Sequence, residues 1–506
     1  MRIAVWHGWL LEGSGSNVGT ARLAEAWRAA GHDVVLLCQE RHPERYAWID
    51  AHGLVDGDGP NDVTTVREPA LGGGRCVLLR PRIGETLPVF VVDRYEGFDD
   101  VRSFTDLADD ELESYVRGNV EALRAAVAWH GSEATVTGHA IPGAVIGRRA
   151  LGAGAYVAKI HGSDLEYAVR LQARYRDLAR EGLGGAKAVA GPSAEVLERC
   201  AVFVPEVRRL GRVVPPGVDV DAFRPRPRAQ ALRAAAERLE TDPDTARGRP
   251  DALDAEVELA LAARDAAALD SLATRYDQEV ADPSAAARLR RLAASRAPVV
   301  GFLGKLIPQK GPALVLAAQR SLARDTEALI VGFGSHREWL VALDLAFRRG
   351  DADALAWLVD AGSMGIDGAD PGRSGEPPRV TFTGRLDHRY APDALAAMDV
   401  LVVPSILDEA FGMVAAEGAA AGALPLVARH SGLAEVAGAL ESEVGRSGLF
   451  SFEPGEGAVR RIADGIDRLL AIDPGERQEL RRAVGSFVAR EWTWQRTAAA
   501  LLEAAT

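Results

Sequence analysis

The chain is poor in cysteine and has no long apolar run. Its 506 residues include three cysteines, Cys38, Cys76 and Cys200, which lie far apart and form no CxxC pair. This pattern offers neither a disulfide framework nor a zinc site and is typical of a reduced, cytoplasmic protein. No apolar run approaches the ~18 residues of a membrane-spanning helix, and the start MRIAVWHGW lacks the apolar core of a signal peptide. We therefore expect no transmembrane segment.

The chain also has no excess of positive charge. The chain has 59 Lys and Arg residues against 72 Asp and Glu, a formal net charge of −13. This balance makes nucleic acid a poor candidate partner. The composition is 47% hydrophobic and 26% charged, as in soluble globular proteins, and its richness in Ala and Arg suits a bacterial genome of high GC content. A chain of this length needs more than one core.

Short β-rich runs alternate with helical segments along the chain, which predicts parallel sheets covered by helices. In the first half, strands are predicted at residues 3–6, 34–38, 77–79, 89–92, 135–137, 156–160 and 188–190. The pattern restarts at residues 299–303 and continues at 328–331, 380–383, 400–403 and 424–427. We expect an α/β protein with two doubly wound, Rossmann-like domains in tandem and a cleft between them.

Composition also divides the chain. Residues 1–214 are predicted to form the first domain, 215–227 a connector that begins Pro215-Pro216-Gly217, and 298–485 the second domain. Residues 228–297 are rich in Ala, Arg and Glu and contain one aromatic residue, Tyr276. Their helical spacing predicts an insertion packed on the outside, far in sequence from the motifs below. A second insertion, 335–379, begins as helix and ends as a loop rich in Gly, Pro and Asp.

The segment 404–436, PSILDEAFGMVAAEGAAAGALPLVARHSGLAEV, is the most informative part of the sequence. It predicts a turn after a buried strand and then a helix, with Glu409 just before the helix and Glu417 inside it. In a helix these carboxylates would lie about 12 Å apart along the axis. The helix N-terminus between them attracts anions. Two carboxylates that accept hydroxyl groups, flanking an anion site, suit a nucleotide-sugar.

The alternative is that both glutamates are solvated surface charges. The small apolar residues around Glu417 argue against it, because they indicate a buried face on which a carboxylate needs a partner.

Several motifs resemble glycosyltransferase family 4, including its signature of two Glu with seven residues between them. The similar segments are VVPPGVDVDAF (213–223), VVGFLGKLIPQKG (299–311), LIVGFG (329–334), VTFTGRL (380–386) and the paired-Glu segment, with HGSD (161–164) in the first half. The resemblance implies the GT-B fold, a donor site in the C-terminal domain, an acceptor site in the N-terminal domain and retaining transfer. It also implies that residues 486–506 form a helix that crosses back to the first domain.

The resemblance further implies roles for individual residues. Glu409 would contact the transferred sugar, and Glu417 the ribose of the nucleotide. The residues implied beside the base are Phe333 and Leu386, and those implied at the start of the donor-binding helix are Phe411, Gly412 and Met413.

Lys305 and Lys310 follow a predicted strand in GKLIPQKG. Ligands of open α/β sheets bind at the carboxyl ends of strands, and cations there would stabilise a leaving diphosphate. The family has Arg and Lys at these positions, so Lys305 keeps the charge without the guanidinium fork. The alternative is that either lysine is only a surface residue.

The first half offers weaker candidates. In EGSGSN (12–17), Gly13 and Gly15 would let the backbone approach a phosphate, although such turns also serve dinucleotides or merely reverse the chain. His161 ends a predicted strand and resembles a family His near the transferred sugar, yet a lone His is more often structural. Asp164 would orient an acceptor hydroxyl or cap a helix. His139 would likewise either contact an acceptor or cap a helix.

We therefore expect a retaining glycosyltransferase that moves a sugar, most simply a hexose, from a nucleotide-diphosphate donor to a hydroxyl of a soluble small molecule or saccharide. Catalysis would depend on electrostatic stabilisation and on positioning of the substrates, with no cofactor and no metal. The pattern Asp219-x-Asp221 resembles a metal-binding motif of another glycosyltransferase fold, but we assign it to a turn. One alternative is a non-catalytic protein that binds a nucleotide-sugar, and another is an epimerase or a phosphorylase. A transferase could also act on a lipid acceptor, which leaves peripheral membrane contact open.

Overall fold

The structure, a computed structural model, describes residues 1–69, 72–91, 95, 97–366 and 379–506. The chain divides into two compact units. Unit 1 comprises Met1–Gly217 and Trp492–Thr506, and unit 2 comprises Val218–Glu491. The boundary after Gly217 lies within the connector predicted at residues 215–227.

In the described part of the chain, unit 1 is built on a nine-stranded sheet. Its chain contains strands β1 Arg2–Trp6, β2 Asp33–Leu37, β3 Ala51–Asp56, β4 Gly59–Thr65, β5 Cys76–Pro81, β6 Thr86–Val89, β7 Asp100–Ser103, β8 Ala134–Gly138, β9 Val157–Lys159, β10 Ala188–Gly191 and β11 Gly211–Val213. The order in the large sheet is β11-β10-β9-β8-β1-β2-β5-β3-β4, and β6 pairs with β7 separately. All neighbours are parallel except β3 and β4. Strands such as β2 and β8 are almost wholly apolar or buried, as parallel strands covered on both faces must be.

The helices of unit 1 before its last segment cover this sheet. They are α1 Gly15–Ala29, α2 Asp109–His130, α3 Ala144–Leu151, α4 Ala173–Gly184, α5 Ala194–Phe203 and α6 Val207–Leu210. Local chemistry fixes their ends: the Ser14 hydroxyl accepts the Asn17 N–H at the start of α1, and Gly131 ends α2 in the left-handed conformation.

Within the described residues, unit 2 contains a six-stranded, fully parallel sheet in the order β14-β13-β12-β15-β16-β17. Its strands are β12 Val299–Leu303, β13 Glu327–Val331, β14 Arg379–Phe382, β15 Val400–Val403, β16 Leu424–Ala428 and β17 Ser451–Phe452. Its helices are α7 Arg228–Glu240, α8 Leu253–Ala263, α9 Ala266–Leu272, α10 Ala285–Ala294, α11 Pro312–Gln319, α12 Arg337–Arg349, α13 Ala352–Ala361, α14 Ala391–Ala396, α15 Met413–Ala421, α16 Ser431–Glu443, α17 Ala458–Ala471 and α18 Pro474–Glu491. The predicted class, α/β with two Rossmann-like domains, is confirmed, although the sheet of unit 1 carries one antiparallel edge strand.

The segment 228–297 contains α7 to α10 and belongs to unit 2. Helices α7 and α10 pack on each other through buried leucines and on α14 and β14. A buried ion pair ties the segment to α12: the Arg249 guanidinium, 1% exposed, donates to both oxygens of Glu338 at 2.8–3.0 Å. The Tyr276 hydroxyl donates to the same carboxylate at 2.8 Å. The insertion is therefore part of the core of unit 2.

The chain returns to unit 1 at its last helix, α19 Trp494–Ala505. The helix was predicted within residues 486–506, but α18 continues to Glu491 and α19 begins only at Trp494. The Trp27 indole N–H of α1 donates to the Ala498 carbonyl at 3.0 Å, and the Thr497 hydroxyl donates to the Pro215 carbonyl at 2.8 Å.

Two local predictions differ from the structure. The strand predicted at residues 89–92 ends at Val89 as β6, and Val92 lies outside the described residues. The second insertion begins with α12 and α13 as a helical segment, whereas residues 367–378 of its predicted loop lie outside the described residues.

Candidate active site

The order of strands in unit 2 reverses between β12 and β15. The chain runs outward from β12 to β13 and β14, then returns to the other side of β12 for β15, β16 and β17. In open parallel sheets a crevice forms at the carboxyl ends of the two strands that flank such a reversal, and ligands bind there. Lys305 and Lys310 follow β12, and Glu409 follows β15, so these three predicted residues lie on the loops of this reversal.

The loops after β12 and β15 touch directly. The Ile406 N–H donates to the Gln309 carbonyl at 2.8 Å. Gly311 has a φ of +68°, and a Cβ on it would lie 2.5 Å from the Pro404 carbonyl oxygen, so only glycine fits. The ammonium group of Lys310 forms an ion pair with the carboxylate of Glu409, with side-chain exposures of 29% and 21%. The candidate cation and the candidate sugar-binding carboxylate are thus in direct contact.

The backbone of Glu409 is held by the start of α16. Its N–H donates to the Ser431 hydroxyl at 3.0 Å, and its carbonyl accepts the Gly432 N–H at 2.9 Å. A Cβ on Gly432 would lie 2.7 Å from that carbonyl oxygen, so the close approach requires glycine. The side chain of Glu409 is therefore presented from a fixed main chain.

Glu417 lies in α15, which begins after Gly412 in the left-handed conformation with a φ of +101°. Phe411 is buried against the core, and Met413 is partly exposed. Among the described residues, the Glu417 carboxylate has no hydrogen bond and no ion pair. Burial, with a smaller contribution from the Asp219 carboxylate, raises its pKa to about 8. A mostly buried acid without a partner is a strong candidate for a ligand-binding group.

The loops after β12, β13 and β14 form a second cluster. A Cβ on Gly332 would lie 1.9 Å from the Gly304 carbonyl oxygen, so glycine is needed where the first two loops cross. Two cations lie over the ring of Phe333: the Lys305 ammonium is 5.7 Å and the Arg385 guanidinium 5.1 Å from the ring centroid. Leu386 is only 5% exposed, so its side chain packs in the core.

In unit 1 the strand order reverses between β8 and β1, and three histidines lie at this edge. His7 follows β1, His139 follows β8, and His161 follows β9. The ring of His139 lies 4.4 Å from that of His161 and 6.1 Å from that of His7. Burial lowers the pKa of all three, to about 4 for His7, so they are neutral at pH 7. The structure thus brings the predicted His139 and His161 together.

A lysine lies beside this histidine cluster. The Lys159 ammonium is 3.2 Å from Nε2 of His161, and burial lowers the pKa of Lys159 to about 8. His139 has a φ of +73°, and its buried Nδ1 has no hydrogen-bond partner among the described residues. Strained backbone and an unsatisfied buried nitrogen are features of functional sites.

Asp164 and the two glycines have different surroundings. The Asp164 carboxylate is fully buried and accepts the N–H groups of Ala140, Gly162 and Leu165 at 2.5–3.1 Å. These bonds favour the capping alternative over contact with an acceptor. Gly13, with a φ of +91°, is exposed in the loop between β1 and α1, and the exposed Gly15 begins α1. They lie in unit 1, whereas the other donor-binding candidates lie in unit 2.

Sequence reasoning missed His7, Lys159, Arg385 and Ser431. His7 and Lys159 lie at the ends of predicted strands, and that position could have marked them as candidate site residues. The described residues contain no group of three or more His, Cys, Asp or Glu side chains arranged to hold a metal ion. Within the same residues, every helix is too short or too polar to cross a membrane.

Comparisons with known proteins bear on the family and the fold. Residues 375–486 match the family model "Glycosyl transferases group 1". A stretch of 204 residues, 40% of this chain, is 30% identical to D-inositol 3-phosphate glycosyltransferase of Mycobacterium bovis and of Mycobacterium tuberculosis. The match covers 36% of the length of those relatives.

Similar solved structures extend over almost the whole chain. Sucrose-phosphate synthase from Thermosynechococcus elongatus has a TM-score of 0.55 and 18% identity, covering 99% of this chain and 97% of that one. Anabaena HepE, solved in complex with UDP and glucose, has a TM-score of 0.55 and 13% identity, covering 99% and 98%. At these identities the likeness concerns the fold alone. The chain has the GT-B fold, with two Rossmann-like units.

Proposed function

We propose that the protein is a retaining glycosyltransferase of family 4, which transfers a sugar from a nucleotide-diphosphate donor to an acceptor hydroxyl. The donor would bind to unit 2 at the crevice between β12 and β15, and the acceptor to unit 1 at the histidine edge. The family model matched by residues 375–486 supports the class of reaction.

One observation carries the proposal: two carboxylates and two lysines lie around the strand reversal and the start of α15. Lys310 bridges to Glu409 across the reversal, and Glu417 offers an acceptor without a partner. The first N–H groups of a helix have no intrahelical partner and attract an anion. A diphosphate at this helix start would have Glu409 on its sugar side and Glu417 on its ribose side.

The lysines would act on the leaving group. As the bond between the anomeric carbon and the diphosphate oxygen breaks, its electron pair stays on that oxygen, and cations near it stabilise the growing negative charge. Lys310 would turn from Glu409 to the diphosphate, which frees the Glu409 carboxylate to accept a sugar hydroxyl. The acceptor oxygen would attack from the face that the diphosphate leaves, and its proton would pass to the departing oxygen. No metal and no resident cofactor enter this scheme.

The acceptor is proposed as a small polyol or saccharide. Both ring nitrogens of the buried His7 are bonded to Asn17 and Thr20, so the neutral rings of His139 and His161 are the ones that would bond to hydroxyl groups. The aromatic rings of Trp9 and Phe90 lie 4.6 and 5.1 Å from the His139 ring. The name of the mycobacterial relatives makes a phosphorylated cyclitol one acceptor to test. A lipid acceptor remains the alternative, and we place the enzyme in the cytoplasm.

The test is a mass-spectrometric screen of UDP-, GDP-, ADP- and TDP-sugars, with and without acceptors. We expect slow hydrolysis of one donor class, faster release of its nucleotide with an acceptor, and a product whose anomeric configuration matches the donor by NMR. Glu409→Gln should chiefly lower kcat, whereas Glu417→Gln should chiefly raise the donor KM. Nucleotide-sugar binding without any turnover would favour a binding protein, and an isomerised donor would favour an epimerase.

A further inference from the structure

A second cavity lies beside β14, the edge strand of the sheet of unit 2. Residues of β14, of α12 and of the helical insertion line it, and its volume is about 720 Å3. Sites for small molecules have volumes of about 300–1,000 Å3. The candidate residues of the crevice between β12 and β15 are not among its lining residues. The cavity is therefore large enough for a ligand of its own.

One wall of the cavity is a single face of α12. Arg337, Val341, Asp344 and Arg348 line the cavity and follow one another at intervals of four, three and four residues. Residues at these intervals lie above one another on a helix. The whole length of α12 thus contributes polar and charged side chains to the cavity.

The other walls come from the insertion and from β14. Arg288 and Arg291 lie one turn apart on α10, and both line the cavity. The Arg288 guanidinium donates to the Phe382 carbonyl at 2.8 Å, which holds α10 beside β14. Arg379, the first residue of β14, also lines the cavity. Cationic side chains therefore reach the cavity from three separate elements.

Most charges of the lining are paired with one another. The lining contains six arginines and three aspartates. Each aspartate forms an ion pair at 2.6–3.1 Å with one arginine of the lining, and these pairs are Asp251 with Arg288, Asp254 with Arg249, and Asp344 with Arg348. A fourth arginine, Arg337, donates to the buried carboxylate of Asp282 at 2.7 Å. Two arginines remain.

The remaining arginines, Arg291 and Arg379, are exposed. Among the described residues, neither side chain forms a hydrogen bond or an ion pair. Arg337 is 3% exposed, and its Nε and Nη1 are buried without a hydrogen-bond partner in the same part of the chain. Buried donors of this kind commonly bond to an ordered water or an ion. The cavity thus has cationic donors that the protein does not use, in a chain whose net charge is −13.

We propose that this cavity binds a small phosphorylated metabolite, at a site separate from the crevice between β12 and β15. A guanidinium presents its N–H groups in a planar fork that matches the oxygens of a phosphate. Val341, Val380 and Phe382 add apolar surface to the lining, on which the carbon skeleton of such a ligand can pack. The inference goes beyond the proposed function and does not depend on it.

The test is isothermal titration of the full chain with ribose 5-phosphate and with fructose 1,6-bisphosphate. We expect at least one of them to bind with a dissociation constant below about 1 mM, as enzymes bind their metabolites. Fructose, which has no phosphate, should not bind. If neither phosphate binds, or if fructose binds equally well, the inference fails.

Two variants locate the bound phosphate. Arg291→Met and Arg379→Met each remove a cation, and both should fold, because neither side chain has a partner among the described residues. A hydrogen bond to a charged group is worth roughly ten- to a hundredfold in affinity and less at an exposed position, so each variant should weaken the tighter probe at least about fivefold. Arg233→Met is the matched control. Arg233 is an exposed arginine of α7 outside the lining, so its loss should leave the affinity unchanged.

A further variant tests the crevice between β12 and β15 as the place of binding. Lys310→Gln should keep the native affinity for the same probe. The inference is overturned if Arg291→Met and Arg379→Met bind as the native chain does, if Arg233→Met is weakened equally, or if the loss is confined to Lys310→Gln. None of these results bears on the transfer reaction. Circular dichroism shows which variants are folded, and if one arginine variant misfolds, the other decides.

Discussion

The carboxyl group of Glu417 makes a quantitative prediction about pH. Its pKa is raised to about 8 because the group is buried and lies near Asp219. About 1% of it is then ionised at pH 6 and about 90% at pH 9. A protonated carboxyl accepts fewer hydrogen bonds from the two ribose hydroxyls than a carboxylate does. If only the ionised form binds well, nucleoside diphosphate affinity rises up to about 90-fold between pH 6 and pH 9.

The assay is the dissociation constant of the preferred nucleoside diphosphate across this range, by titration calorimetry. The terminal phosphate also titrates, near pH 6. Glu417→Gln controls for this effect, because it keeps the phosphate titration and removes the carboxyl group. The ratio of native to variant affinity should therefore rise through about pH 8. A ratio that stays flat from pH 6 to pH 9 would refute the assignment of Glu417 to the ribose.

Stability gives an independent reading of the same group. The folded carboxyl keeps its proton up to about pH 8, whereas the unfolded one loses it near the ordinary glutamate pKa of 4.5. Unfolding then releases a proton in this window, so the free energy of unfolding of the native chain falls as pH rises from about 5 to 8. Urea titrations should show that this fall is smaller in Glu417→Gln; an equal fall in both proteins would mean that Glu417 is already ionised.

Three further predictions concern other parts of the molecule. Lys310→Gln should lower kcat of the proposed transfer by about 100- to 1,000-fold, and Lys310→Arg should have a kcat between those of the native chain and Lys310→Gln. An unchanged kcat in steady-state assays would show that Lys310 takes no part in the reaction. Arg249→Met leaves the buried Glu338 without its cationic partner and should lower the free energy of unfolding in urea by about 3–5 kcal/mol. The exposed Arg275→Met should lower it by less than about 1 kcal/mol, and equal costs would contradict the buried ion pair. Turnover should survive EDTA, and loss of activity restored by manganese would show a metal site.

The strands of unit 2 illustrate what the sequence predicts well. Segments such as Val400–Val403 are apolar on both faces because helices cover both sides of a parallel sheet, and a continuous apolar run is easy to recognise. The hairpin of β3 and β4 was not predicted. It lies at the edge of its sheet and is largely exposed along β4, so it carries no apolar run.

The residues of the candidate site likewise differ in how well the sequence predicts them. The paired glutamates and Lys310 lie in compact local motifs, so their neighbourhood could be predicted. The pair of Glu279 and Arg385 joins positions 106 residues apart, and that of Arg249 and Glu338 joins positions 89 apart. No local pattern encodes such contacts, because they depend on how helices pack. For this reason the sequence predicts an insertion on the outside but does not predict its contact with the donor sheet.

The last helix has a consequence for biosynthesis. Unit 1 consists of two stretches of chain, and all of unit 2 is translated between them. Bacterial or eukaryotic ribosomes add about 5–20 residues per second, so the sheet of unit 1 waits on the order of tens of seconds for α19. During that interval the surface of α1 around Trp27 lacks its partner α19. A nonsense mutation shortly before Trp494 would therefore leave unit 2 intact and damage the half of the protein that was made first.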